Sequence, residues 1–99
     1  GSIRGTVEIQ NGTIPEQGKL LLRAKKLDTN PVYFSAETDP RGQFVIYNLP
    51  AGTYELTATV FVPGLREPLA QKSEQLAIEA GSTTKTIIKL SLPSLRPGP

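Results

Sequence analysis

The stretch DPRGQFVIYNLPAGTYELTATV, Asp39 to Val60, constrains the fold more than any other part of the chain. Apolar side chains occupy every second position in its two runs: Phe44 and Ile46, then Tyr54, Leu56, Ala58 and Val60. A helix repeats every 3.6 residues, so this alternation suits a strand with one face in a core. Two clusters of turn formers, Asp39-Pro40-Arg41-Gly42 and Asn48-Leu49-Pro50-Ala51-Gly52, cut the runs apart. Asp first, Pro second and Gly fourth is the order a type I turn favours. Gly42 sits where a positive φ is expected.

The same period extends through the chain. Ile3, Gly5, Val7 and Ile9 alternate with polar residues, as do Leu20, Leu22 and Ala24, then Val32, Phe34 and Ala36. Near the end Thr84, Thr86, Ile88 and Leu90 form an inward set, and Lys85, Ile87 and Lys89 an outward one. Residues 69–80 are open between strand and short helix. Pro68 and Gly81 could bracket a helix, but Leu76, Ile78 and Ala80 alternate. Seven short strands with turn clusters between them predict an all-β fold, a seven-stranded antiparallel Greek-key β-sandwich, with a small partly closed barrel as the alternative.

Ninety-nine residues make one domain. Gly1-Ser2 reads as a cloning scar, 3–92 as the domain and the proline-rich 93–99 as a linker or tail. The absence of methionine suggests a piece of a longer protein, so a missing leader or anchor carries no information.

Composition narrows the chemistry sharply. With no histidine and no cysteine, the usual zinc sites and Ser-His-Asp or Cys-His catalysis are excluded, and no cofactor is expected. The nine acids are scattered, with no obvious pair for glycoside hydrolysis. Asp39, Asn48 and Glu37 offer oxygens near turns, but calcium wants six to eight ligands. The simpler role of Asp39 is to cap its own turn. A net charge of +2 points to neither nucleic acid nor membrane insertion. Lys19, Arg23, Lys25 and Lys26, joined by Arg4, could meet an anionic polymer, but lysines on a strand also discourage edge pairing. Tyr33, Tyr47 and Phe61 should point outward. If the third and fourth strands pair across the Asp39 loop, Tyr33 faces Tyr47, and those two become a candidate ligand-binding platform.

The Asp39–Ala58 pattern closely resembles the D-x-x-G-x-F-x-x-x-x-L-P-x-G-x-Y-x-L-x-A signature of carboxypeptidase regulatory-like domains. It is carried by Asp39, Gly42, Phe44, Leu49, Pro50, Gly52, Tyr54, Leu56 and Ala58. IRGTV at Ile3–Val7 resembles the opening strand, and LAIEAGSTTKTIIKL the closing β-hairpin. The superfamily also holds transthyretin-like (prealbumin-like), Cna B-type and starch-binding-like sandwiches. The resemblance implies a non-catalytic accessory module of a larger exported protein, in an extracytoplasmic setting: periplasmic, cell-surface or secreted. Its partners would be neighbouring domains, or a protein or glycan ligand. A carbohydrate-binding module or an adhesin-type stalk are the alternatives. The histidines of transthyretin-like hydrolases are missing. So is the lysine that a Cna B-type isopeptide needs on the first strand, where Arg4 stands.

Overall fold

The computed structural model describes residues 1–28 and 32–93. Seven strands account for most of them: β1 (Ser2–Gln10), β2 (Lys19–Lys26), β3 (Val32–Glu37), β4 (Gln43–Ile46), β5 (Gly52–Phe61), β6 (Ala70–Ile78) and β7 (Thr83–Ser91). They form a three-stranded sheet in the order β4-β1-β7 and a four-stranded sheet in the order β3-β2-β5-β6. The expected all-β sandwich of seven strands is present. The open segment at 69–80 is strand β6, and its alternation sends Ile78 into the core.

The alternating residues meet between the sheets. Ile3, Val7, Phe44, Ile46, Ile88 and Leu90 come from the three-stranded sheet; Leu22, Ala24, Tyr54, Leu56, Ala58, Val60 and Ile78 come from the other. Burying each large apolar side chain stabilises the fold by about 1.5–3 kcal/mol. Gly5 faces inward too. A Cβ there would lie 2.6 Å from the Thr86 carbonyl oxygen and 2.7 Å from the Phe44 ring, so the missing side chain makes room for the aromatic.

Two details depart from expectation. Four of the six connections cross between sheets, including β3–β4 and β6–β7. The Asp39 loop and the Glu79–Ser82 loop are therefore arches, and the expected closing hairpin is absent. An arch and a hairpin both reverse the chain and both keep apolar residues inward, so alternation does not separate them. Second, β1 and β7 pair in parallel, from Ser2 opposite Thr83 to Gln10 opposite Ser91. Each connection reverses the chain, so two odd-numbered strands that become neighbours must run the same way. Gly1 and Ser2 are hydrogen-bonded to the rest of the sandwich, Ser2 as the first residue of β1. The Gly1 amino group donates to the Leu49 carbonyl at 2.8 Å, and Leu49 N–H donates back to Gly1 at 2.7 Å. At the other end Leu92 is buried and its N–H donates to Gln10. Residues 94–99, most of the expected tail, lie outside the described residues.

Candidate functional site

The most patterned stretch of the sequence is occupied by its own structure. Gly42 adopts φ 85° and donates to the Asp39 carbonyl at 2.9 Å, closing the expected turn. Asp39 Oδ1 accepts from the N–H groups of Arg41 at 2.9 Å and Gln43 at 2.8 Å. The carboxylate thus caps the arch. Among the described residues no three metal-ligating side chains cluster. At the second turn Asn48 takes φ 59°, and the fully buried Tyr54 hydroxyl donates to the Pro50 carbonyl at 2.6 Å. Burial pushes the Tyr54 phenol above its ordinary 10.0; the nearby Lys26 charge opposes that and Asp28 adds to it. Lys26 pairs with Asp28 at 2.8 Å, and its hydrogen bond holds the exposed Asp28 carboxyl below the usual 3.8.

Tyr33 and Tyr47 do not form one platform. Tyr33 lies on β3, opposite Lys25 in the four-stranded sheet. Tyr47 follows β4 of the three-stranded sheet, on the side away from inward Phe44 and Ile46. The outer faces of two packed sheets look in opposite directions, so the tyrosines are on opposite sides of the molecule. Their expected pairing needed β3 and β4 in one sheet, and they are in two. The exposed aromatic that shares a face with Tyr33 is Phe61, opposite Lys19 at the other end of β2.

The basic run also divides. Lys26 turns inward beside Tyr54, and Arg4 sits on the outer face of the other sheet. Lys19, Arg23 and Lys25 remain together on the outer face of β2. That strand is not an edge: β3 flanks it on one side and β5 on the other. Guarding an edge therefore does not explain these cations. The Arg23 guanidinium lies 5.2 Å from the centre of the Tyr33 ring, a cation–π arrangement that pairs the two groups on the outer face.

Beside this column the face is a carpet of small polar groups. Thr57 is opposite Arg23 and Ser73, and its hydroxyl is 2.9 Å from that of Ser73. Thr59 is opposite Leu21 and Gln71; Glu55 is opposite Lys25 and Gln75. Although they point outward, Thr57 and Thr59 are buried, because β5 has strands on both sides. The result is a flat surface with an aromatic and a guanidinium standing on it. Alternation shows which residues face outward; it does not show that β2 is central, and centrality is what makes Lys19, Arg23, Lys25 and Phe61 informative.

A surface depression beside the three-stranded sheet is lined by Arg4, Thr6 and Lys85 of that sheet and by the carboxylates Glu37, Asp39 and Glu74. Asp39 is taken by its own turn and Glu74 accepts from the Thr86 hydroxyl at 3.1 Å, so two of these three carboxylates already have hydrogen-bond partners.

Compared with known families, residues 3–86 match the model described as polysaccharide lyase family 4, domain II. No curated protein matches the chain. The match bears out a β-sandwich domain and does not extend to the carboxypeptidase regulatory-like family that the turn-and-core signature resembles. The carboxypeptidase regulatory-like resemblance shares with it the β-sandwich and the accessory position in a larger protein. Among the described residues no helix is long and apolar enough to cross a membrane.

Proposed function

The chain belongs to the family of polysaccharide lyase family 4, domain II, and we propose that it serves a larger, exported polysaccharide-degrading protein as a non-catalytic spacer between neighbouring domains. The parallel pairing of β1 and β7 carries this reading. Because Ser2 pairs with Thr83 and Gln10 with Ser91, the chain comes in at one end of the sandwich and leaves at the other. A nine-residue strand at about 3.3 Å per residue separates those ends by roughly 30 Å. The rigid core between them fixes the separation. An export setting fits a module that accompanies a polymer-cleaving enzyme, since such polymers are too large to enter a cell intact.

Two measurements test the reading. Spin labels at Ser2 and the exposed Ser91, at opposite ends of the β1/β7 ladder, should report a separation of about 30 Å, and a distance under about 15 Å would refute the spacer geometry. The chain alone, incubated with uronate-containing polysaccharides, should generate no unsaturated sugar ends; their appearance in ultraviolet absorbance would refute the non-catalytic role.

A second reading is contact with the glycan itself. The Arg23–Tyr33 pair on the outer face of the four-stranded sheet favours it, because an ordered exposed ring is what a sugar stacks upon. In this reading Tyr33, rather than Tyr47, is the ligand-contacting tyrosine.

A further inference from the structure

We infer that the outer face of the four-stranded sheet binds an extended, carboxylate-bearing glycan along β2, with Tyr33 and Phe61 as stacking platforms at its two ends and Lys19, Arg23 and Lys25 between them. The inference rests on the glycan-contact reading above and adds the charge class, the direction and the residues.

Geometry comes first. Tyr33 is opposite Lys25 and Phe61 is opposite Lys19, so the two rings bracket six residue steps of β2, roughly 20 Å at about 3.3 Å per step. That is the span of several sugar rings in a row. Both aromatics are exposed, at 52 % for Tyr33 and 45 % for Phe61, and both project from the same side of the sheet. They sit on strands flanking β2 on opposite sides, so a chain touching both must pass over the cations between.

Charge then selects the ligand. None of the three cations makes an ion pair among the described residues, where Lys26–Asp28 is the pair formed. Arg23 is already held against Tyr33, so little side-chain freedom is lost when it meets a carboxylate, and a guanidinium can take both carboxylate oxygens at once. Glu37 and Glu55, on the same face, leave it only weakly positive. A polyphosphate or a densely sulfated chain would meet those acids; a polymer with one carboxylate per sugar can place its charges over β2. The exposed Ser73 hydroxyl and the amides of Gln71 and Gln75 supply hydrogen-bonding groups beside the column.

The test is affinity electrophoresis and titration calorimetry of the chain with polygalacturonate, against soluble starch and galactan as neutral polymers. Polygalacturonate should retard the chain, and retardation should weaken as salt is raised. Tyr33→Ala and the double variant Arg23→Gln/Lys25→Gln should each weaken binding by about tenfold or more. Tyr47→Ala, on the opposite side, should leave it unchanged. Circular dichroism melts identify any variant that has lost the fold, and Phe61→Ala provides an independent second probe of the same line. Failure to bind any polymer would overturn both this inference and the glycan-contact reading. Equal binding of neutral polymers, with Tyr33 still required, would overturn the inference and leave glycan contact standing. Equal losses for Tyr47→Ala and Tyr33→Ala would refute the assigned face.

Discussion

Replacing Tyr54 by alanine and by phenylalanine separates the two things this side chain does. Its ring is fully buried, tilted 60° against Phe34 with centroids 6.2 Å apart, and its hydroxyl donates to the Pro50 carbonyl. Truncation to alanine removes the whole ring and leaves a cavity, a loss of about 3–5 kcal/mol. Phenylalanine keeps the ring and deletes the hydrogen bond. Pro50 is exposed, so water can take over its carbonyl, and the expected cost is only about 0.5–1.5 kcal/mol. In a domain of this size each kcal/mol shifts the melting temperature by about 4–8 °C. Tyr54→Ala should therefore melt at least about 12 °C lower than the parent, and Tyr54→Phe within about 12 °C of it. Urea unfolding gives the same comparison independently, provided the slope with denaturant is unchanged. A loss below about 1 kcal/mol for alanine would show that the ring is not in the core. Equal losses for the two variants would show that the hydrogen bond, not ring burial, holds the second turn.

Three other predictions follow from named contacts. Gly42→Ala combines a φ of 85° with a Cβ placed 2.5 Å from the Val7 carbonyl oxygen, and should destabilise the fold by about 1–3 kcal/mol in urea titration; a neutral result would mean the arch does not press on β1. Gly5→Ala forces a methyl group against the Phe44 ring and should cost about 1–3 kcal/mol, partly recovered in Gly5→Ala/Phe44→Leu; no recovery would refute the Phe44 contact as the cause. Because burial raises the Tyr54 phenol above 10.0, the folded chain holds that proton more tightly than the unfolded one. Its contribution is fully present below about pH 10 and is lost as pH rises through the folded-state value. Urea midpoints should fall more steeply above pH 10 for the parent than for Tyr54→Phe, and parallel curves would refute the linkage.

How far the sequence could be read is clearest at particular residues. Asp39 and Gly42 declared their turn, and the φ of 85° and the two bonds to Asp39 Oδ1 follow from residue types that form such a corner locally. Tyr54, Leu56, Ala58 and Val60 declared their side of β5 by parity alone. Thr57 and Thr59 show where parity stops: they do face outward, yet flanking strands bury them. The tyrosine pairing failed for the same reason, since it depended on which sheet β4 joins.

By itself the sequence determined the local and periodic features: strand segments, the inward face of each, the turns at Asp39 and Asn48, and the absence of histidine and cysteine chemistry. These depend on neighbours a few residues away, and backbone sterics and side-chain period settle them. Tertiary structure decided which strands are neighbours. It crossed the Asp39 loop from one sheet to the other, set β7 parallel to β1, and placed β2 between β3 and β5. Pairing across sheets depends on how two apolar faces close over one core, a choice that leaves every residue's inward or outward parity unchanged. That choice sent Tyr47 to the far side and left Tyr33, Arg23, Lys25, Lys19 and Phe61 on one surface.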